Sequence, residues 1–264
     1  LDMVNELDNE LAGDDAQEVW VLDTPFFLDQ EGCTINELEG KEPVSEPYHY
    51  QEWDYAVQLH RPNWVTVLEK RQKKGDAADI DVAVAAARRA FDSGAWSRTA
   101  PRHRKQVLLR FAELLRAHGE ELALTETLDM GKPISDSLAV DVPATANCIQ
   151  WYAESIDKLY DEVAPTDPGT LALVTREPLG VVGAIVPWNF PLIMAAWKLG
   201  PILAAGNSIV LKPSEKSPLS ALRAAELALE AGLPPGVFNV VTGLGHTAGK
   251  ALALHGDVDG IGFT

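Results

Sequence analysis

Several features that would assign this chain to common classes of protein are missing from its sequence. It has only two cysteines, Cys33 and Cys148, which lack the spacing of a metal site and do not suggest a disulfide framework. The six histidines also show no ligand spacing, so we expect no metal. No stretch approaches the roughly 18 uninterrupted apolar residues that a membrane-spanning helix needs. We therefore expect a protein that binds no metal and enters no membrane.

The start of the chain lacks the basic residues of a secretory signal. Residues 1–10 are acidic instead. The longest apolar candidate, residues 191–205, is interrupted by Lys198, Gly200 and Pro201. With so few cysteines, a reducing compartment is the expected environment. We therefore predict a cytoplasmic protein.

Basic residues are almost absent from the first fifth of the chain. Residues 1–54 hold sixteen acidic residues and one base, Lys41, and so carry −15 of the net charge of −17. The remainder is close to neutral and has no field that would attract nucleic acid or an anionic membrane. A charge asymmetry this sharp indicates a boundary. We place it near Lys73-Lys74-Gly75, which gives regions 1–74 and 75–264.

The region before this boundary has little periodicity. Residues 1–50 favour neither helix nor strand, which predicts an acidic and poorly ordered region. The aromatic cluster at 48–55 argues against complete disorder. Residues 48–70 resemble a segment upstream of the von Willebrand factor A domain in nitric-oxide-reductase-activation and cobaltochelatase-like proteins. Region 1–74 is therefore predicted to be unrelated to the rest of the chain.

Helical patterns open the second region. Asp79 is predicted to cap the first helix and Gly94 to end it. Pro101 begins the second helix, and Gly131 stops a third. A fourth helix is predicted over 141–160, followed by an extended, turn-containing stretch at 163–175.

Strands and helices then alternate regularly. Strands are predicted at 179–186, 208–211, 237–241 and 259–264, and helices at 192–205, 218–231 and 246–255. Short strands separated by helices of ten or more residues indicate βαβ units and a parallel sheet. We therefore predict an α/β fold, a Rossmann-like parallel sheet with flanking helices that is truncated after its fourth strand.

Two polar motifs follow neighbouring predicted strands. The first is Pro187-Trp188-Asn189-Phe190-Pro191 and the second is Lys212-Pro213-Ser214-Glu215. In a parallel α/β sheet, ligands bind outside the carboxyl ends of the strands. Both motifs fall at that edge, which makes them the best candidates for a binding site.

These motifs resemble those of the aldehyde dehydrogenase superfamily. The resemblance covers about residues 76–264 and includes Leu-Asp-Met-Gly-Lys-Pro at 128–133. Within the superfamily, residues 151–158 and 197–201 are most similar to gamma-glutamyl-aminobutyraldehyde dehydrogenases. The resemblance implies an NAD-dependent oxidoreductase that converts a small-molecule aldehyde to a carboxylic acid. It also implies a homo-oligomer associated through the hairpin at 163–175.

The resemblance assigns the main roles to three residues. Asn189 corresponds to the asparagine whose side-chain amide stabilises the oxyanion. The alternative is that Asn189 caps the helix that follows it. Lys212 and Glu215 correspond to the clamp on the adenosine ribose, where a carboxylate accepts from the 2′ and 3′ hydroxyls and so favours NAD over NADP. The alternative for these two residues is a solvated strand end and an ordinary helix-start acid.

Three further residues are expected to bind the cofactor. Ile185 and Trp188 would line the cofactor cleft, although both could belong to the core. Gly245 corresponds to a glycine that lets the backbone approach the cofactor. The glycine pattern around it is not the three-glycine dinucleotide fingerprint.

The residues that complete the family's chemistry have no counterpart in this sequence. Neither Cys33 nor Cys148 lies in a motif that resembles the family's nucleophile region, and no glutamate matches its general base. We therefore predict that the chain alone does not oxidise aldehydes. The alternative to a dehydrogenase fragment is a non-catalytic interaction protein, or a pseudogene or fusion product with a degenerate α/β scaffold.

Overall fold

A parallel sheet and a separate hairpin make up the strands of the part of the chain that the structure describes. The computed structural model describes residues 75–264, so the predictions for residues 1–74 lie outside the described residues. The strands are β1 (Glu162–Ala164), β2 (Ala172–Val174), β3 (Val181–Ile185), β4 (Ser208–Lys212), β5 (Phe238–Val240) and β6 (Gly260–Phe263). β1 and β2 pair antiparallel as the predicted hairpin. The other four strands form one parallel sheet in the order β5-β4-β3-β6.

Helices precede the sheet and connect its strands. They are α1 (Ala77–Ser93), α2 (Pro101–Ala117), α3 (Gly119–Met130), α4 (Val142–Ser155), α5 (Pro191–Ala204), α6 (Leu219–Ala231) and α7 (Lys250–Leu254). A short helical turn (Ile134–Asp136) and a π-helical turn (Ser137–Asp141) lead into α4, and a second π-helical turn (Gly245–Gly249) leads into α7. This confirms the predicted Rossmann-like parallel sheet with flanking helices.

The start of α1 corrects one prediction. Asp76, not Asp79, is the N-cap, and its side chain accepts from the backbone N–H of Ala78 and Asp79. Asp79 occupies the third helical position, where its carboxylate accepts from the backbone N–H of Asp76 in return. The two acids thus form a capping box. Because either acid can cap a helix, the sequence alone left the first turn open, while Gly94 ends the helix as predicted.

The strands of the sheet are buried on both faces by two hydrophobic clusters. Ile209 and Leu211 of β4 point into the larger cluster with α2, α3, α4, α5 and α6. Val210, between them, points to the opposite face and packs with α1 and α7. Alternate residues of a strand face opposite sides, so a continuous apolar strand is what a three-layer arrangement needs.

The strand order sets where a ligand can bind. The chain moves from β3 outward to β4 and β5, then returns to the other side of β3 to form β6. The order reverses between β3 and β6, and such a switch point opens a crevice at the carboxyl ends of the strands. Within residues 75–264, no helix is long and apolar enough to cross a membrane.

Candidate functional site

The last residues of the central strands are neighbours at one edge of the sheet. Ile185 of β3 is in register with Lys212 of β4 on one side and Phe263 of β6 on the other. The loops that follow β3 and β4 therefore begin side by side. This brings together the two polar motifs that the sequence places at strand ends.

Lys212 is a buried lysine at this edge. Lys212 is only 2% exposed, and its Nζ donates a hydrogen bond to the carbonyl oxygen of Gly243 at 2.8 Å. The Glu215 carboxylate lies 3.8 Å from the same Nζ and is more exposed. Burial lowers the pKa of Lys212, and the Glu215 charge opposes that shift. Lys212 thus links β4 to the loop after β5, while Glu215 remains open to a ligand.

Trp188 ties the loop after β3 to the loop after β4. The hydroxyl of Ser217 donates to the carbonyl oxygen of Trp188 at 3.2 Å, and Lys216 Nζ lies 5.8 Å from the centre of the indole. The residue as a whole is about half exposed, at 48%. Trp188 is therefore a surface residue of this edge and not part of the core.

Asn189 lies between β3 and α5 with an exposed side chain. The N-cap of α5 is Phe190, and neither Phe190 nor Asn189 makes a side-chain hydrogen bond to the start of this helix. Asn189 therefore does not act as the helix cap that was its alternative role. Its amide is available to a ligand at the edge of the sheet.

The glycines of the loop after β5 differ in their distance from the strand ends. Gly245 is exposed, and a Cβ built on it would meet nothing within 4 Å. A Cβ on Gly249 would lie 3.5 Å from Lys212 Cδ and 4.0 Å from Ile185 Cδ1. Gly249 is thus the glycine that packs beside the predicted cofactor residues, and the sequence analysis missed it. Its position four residues after Gly245, one helical turn on, is the signal that could have found it.

Two buried carboxylates on α3 bind the first turns of the helices that follow the loops after β3 and β4. Glu126 Oε1 accepts from the backbone N–H of Leu192 at 2.9 Å, at the start of α5. Asp129 Oδ2 accepts from the backbone N–H of Leu219 at 2.8 Å, at the start of α6. Sequence reasoning missed both residues. Two acids three residues apart in a helix that is otherwise mostly apolar on that face were the available signal.

Glu126 has the most perturbed environment of these groups. Its pKa is raised to about 7, chiefly by burial and also by the neighbouring Asp141 carboxylate, while the Leu192 N–H and Lys132 act in the opposite direction. Lys132 forms an ion pair with Asp141 and places its Nζ 3.9 Å from the centre of the Phe190 ring. Through Lys132, the buried carboxylates Glu126 and Asp141 are therefore linked to Phe190, the residue that follows Asn189.

The cysteine in the described region belongs to helix α4 and not to the loops at these strand ends. Cys148 is a half-buried residue of α4 that packs against the larger hydrophobic cluster. Burial raises the pKa of its thiol, which disfavours the nucleophilic thiolate. Among residues 75–264, no group of histidine, cysteine and acidic residues is arranged to hold a metal ion.

The sequence matches the family model described as the aldehyde dehydrogenase family over residues 56–264. The chain belongs to the aldehyde dehydrogenase family. The match begins within the stretch 48–70 and before the boundary that the charge pattern suggests at residue 74. Residues 56–74 lie outside the described part of the structure.

Curated members of the aldehyde dehydrogenase family are similar over most of this chain. The NADP/NAD-dependent aldehyde dehydrogenase PuuC of Escherichia coli is 62% identical over 191 residues, which is 72% of this chain and 39% of the relative. An aminoacetaldehyde dehydrogenase of Pseudomonas aeruginosa is 56% identical over 189 residues, 72% of this chain and 38% of the relative. This chain thus spans about two fifths of the length of these aldehyde dehydrogenases.

Solved aldehyde dehydrogenase structures share the fold. An indole-3-acetaldehyde dehydrogenase in complex with NAD⁺ is 67% identical, with a TM-score of 0.71 over 72% of this chain and 38% of that one. A gamma-glutamyl-gamma-aminobutyraldehyde dehydrogenase of Burkholderia cenocepacia is 64% identical, with the same TM-score of 0.71 over 72% of this chain and 38% of that one. The predicted superfamily is confirmed, and the subfamily suggested by residues 151–158 and 197–201 is represented among these similar proteins.

Proposed function

We propose that this chain supplies the cofactor-binding part of an NAD-dependent aldehyde dehydrogenase that converts a small-molecule aldehyde to a carboxylic acid. The observation that carries the proposal is that the ends of β3 and β4 are side by side, so that the loop with Asn189 begins next to the Lys212–Glu215 pair. That edge is where a parallel α/β sheet binds its ligand. The NAD⁺ complex of a 67% identical aldehyde dehydrogenase supports the same cofactor.

The donor set at this edge fits the adenosine ribose of a dinucleotide. Lys212 Nζ is held in place by the Gly243 carbonyl, which fixes one hydrogen-bond donor without mobile rotamers. The Glu215 carboxylate is partly exposed beside it and can accept from two ribose hydroxyls. A carboxylate in that position repels a 2′-phosphate, which favours NAD over NADP. The open space around Gly245 leaves room for the backbone to approach the cofactor.

Ile185 and Trp188 complete the proposed cleft, and Asn189 is assigned the donor for the oxyanion. An amide N–H donor aimed at a developing oxyanion is commonly worth on the order of 3 kcal/mol of barrier. Ile185, Trp188, Lys212 and Glu215 would hold NAD, which would supply the hydride acceptor for the oxidation. This chain's own residues would bind the cofactor and hold the carbonyl oxygen.

The nucleophile and the general base are proposed to come from residues outside this sequence. Aldehyde oxidation of this kind needs a thiolate, and burial makes Cys148 a poor one. We therefore propose that the chain by itself is inactive.

We also propose that the enzyme is cytoplasmic and that it self-associates through the β1–β2 hairpin. Three apolar residues of this hairpin, Val163, Leu173 and Val174, are exposed.

Calorimetric titration with NAD tests the cofactor site directly. We expect the chain to bind NAD weakly, Glu215→Gln to weaken that binding and to reduce the preference over NADP, and Asn189→Ala to leave it nearly unchanged. Glu230→Gln, at an exposed acid on α6, is the matched control. An unchanged NAD affinity in a folded Glu215→Gln variant would refute the assignment of the ribose clamp.

NADH formation with several aliphatic aldehydes tests the proposed inactivity. We expect no turnover from the chain, whatever the aldehyde. Turnover that survives the double substitution Cys33→Ala and Cys148→Ala would show chemistry by another route. Turnover lost in Cys148→Ala alone would identify that thiol as the nucleophile and overturn the proposal.

A further inference from the structure

A buried charged cluster lies directly beneath the Asn189 loop and takes no part in the proposed chemistry. It consists of Glu126, Asp141 and Lys132, and we call it the α3 cluster. Glu126 is fully buried and Asp141 is 1% exposed. Burial of ionised groups is expensive unless each is paired, so a cluster at this depth needs a structural or functional reason.

The α3 cluster contacts two residues that follow Asn189, namely Phe190 and Leu192. Glu126 holds the backbone N–H of Leu192 at 2.9 Å. Lys132, which is paired with Asp141, lies over the Phe190 ring at 3.9 Å from its centre. A cation over an aromatic face is attracted most strongly when it is desolvated. Phe190 and Leu192 are thus both fixed by one cluster, and Asn189 immediately precedes them.

The second oxygen of Glu126 makes this arrangement sensitive to protonation. Among residues 75–264, Oε2 of Glu126 has no hydrogen-bond partner at normal distance, whereas the Asp141 carboxylate lies near enough to affect its titration. Deprotonation places a second negative charge beside Asp141 in a site shielded from water. The charge can be balanced by Lys132, which would then be drawn from Phe190 toward the two carboxylates.

We propose that Glu126 is a positioning residue whose protonation state sets the placement of the Asn189 loop, acting on the loop through Leu192 and, by way of Lys132, through Phe190. Its importance for catalysis rests on the proposed function of Asn189 as oxyanion donor. The coupling itself is a property of the α3 cluster and does not depend on that function. Neutral Glu126 leaves Lys132 paired with Asp141 over the Phe190 ring, as in the structure.

The other charged groups around Glu126 are accounted for. α5 contributes the Leu192 N–H at its positively polarised start. Arg223 is the basic residue of α6, and it is bound to Glu121 at 2.8 Å, more than one turn before Glu126 on α3. On α3 itself, Asp129 accepts from Leu219 N–H. Asp141 and Lys132 are therefore the groups that Glu126 meets as it titrates.

Heteronuclear NMR of the full chain over pH 5.5 to about 8.5 tests the coupling. The Leu192 backbone amide reports directly on Glu126, and we expect its signal to titrate with a midpoint near 7. The Asn189 side-chain amide and the Trp188 indole N–H should shift with the same midpoint. A purely structural Glu126 would move only the Leu192 signal.

Substitutions separate the contacts through Leu192 and Phe190. Glu126→Gln keeps an acceptor for Leu192 and removes the titration, so all three signals should stay at their low-pH positions. Lys132→Met should leave the Leu192 titration in place and reduce the shift of the Asn189 amide, because only the contact through Phe190 is lost. Glu120→Gln, at an exposed position on the same helix, is the matched control and should titrate as the wild type does.

Each result decides for or against the positioning role. Asn189 and Trp188 signals that do not follow the Leu192 midpoint, or that still titrate in Glu126→Gln, would overturn it. A failed NAD titration alongside coupled signals would reject the proposed function and leave the positioning role intact. Normal NAD binding with uncoupled signals would reject the positioning role of Glu126 and leave the proposed function intact.

Discussion

Gly243 and Gly245 stand two residues apart in the loop after β5, yet their backbones differ. Gly243 has a φ of 144°, and a Cβ built on it would lie 2.4 Å from the carbonyl oxygen of Gly75. Gly245 has no such conformation, and its Cβ would meet open space. Because Gly243 also supplies the carbonyl that fixes Lys212, its conformation matters for the proposed ribose clamp.

We expect Gly243→Ala to destabilise the protein and Gly245→Ala to leave its stability nearly unchanged. A side chain in this backbone region costs about 1 to 3 kcal/mol, and the contact with a backbone oxygen adds to it. Urea unfolding of both variants measures the difference in the free energy of unfolding. Equal stability of the two variants would mean that the loop relaxes without resistance.

Glu126 gives rise to a second prediction at this scale, because its folded-state pKa of about 7 lies above the ordinary glutamate value of 4.5. The folded protein then binds this proton more tightly than the unfolded chain does. The stability contributed by Glu126 is fully present below pH 4.5 and is lost as the pH rises to about 7. The loss is on the order of 3 kcal/mol.

Glu126→Gln removes this titration, so the comparison is between wild type and variant. We expect the free energy of unfolding of the wild type, relative to Glu126→Gln, to fall between pH 4.5 and 7 and then to level off. Denaturant unfolding at a series of pH values measures it. A difference that rises with pH would show that Glu126 is held ionised in the folded state.

At the scale of elements, α3 acts as a support for two other helices. Its carboxylates at Glu126 and Asp129 accept from the first turns of α5 and α6, which have no capping side chain of their own. The first N–H groups of a helix need partners outside the helix. The single helix α3 thus supplies hydrogen-bond acceptors to the first turns of α5 and α6, the helices that follow the loops after β3 and β4.

Asp129→Ala should therefore destabilise the protein, because it leaves the buried N–H of Leu219 without its acceptor. Such a loss costs about 1 to 3 kcal/mol. Thermal and urea unfolding measure it, with Glu120→Ala on the exposed side of the same helix as the control. If the two variants unfold alike, water replaces the carboxylate at the start of α6.

At the scale of the whole molecule, apolar side chains are exposed around β6. β6 is an edge strand of the described sheet, and Ile261, Phe263 and Leu254 are exposed, with Phe263 at 72%. An exposed, apolar strand edge invites pairing with another chain. The isolated chain should therefore self-associate through this face.

Phe263→Lys should reduce that self-association at little cost in stability, since the side chain is mostly exposed already. Light scattering behind size-exclusion chromatography measures the effect. Val82→Lys, at a comparably exposed position on α1 with 70% exposure, is the control and should leave the self-association unchanged. A wild-type chain that runs as a monodisperse monomer would contradict this prediction.

The sequence by itself determined the order of elements and the identity of the edge that carries polar residues. Strand and helix periodicity are local, so the alternation from β3 to β6 and the positions of Trp188, Asn189, Lys212 and Glu215 after their strands could be predicted. The helix start at Asp76 was missed because Asp79 can also cap a helix.

Tertiary structure alone decided the relations between distant segments. The strand order β5-β4-β3-β6, the contact of Gly249 with the strand ends, and the support that α3 gives to α5 and α6 join residues far apart in sequence. The pKa of Glu126 also belongs here, because it depends on burial and on Asp141. Desolvation and long-range hydrogen bonds exist only once the chain has packed, so no local pattern encodes them.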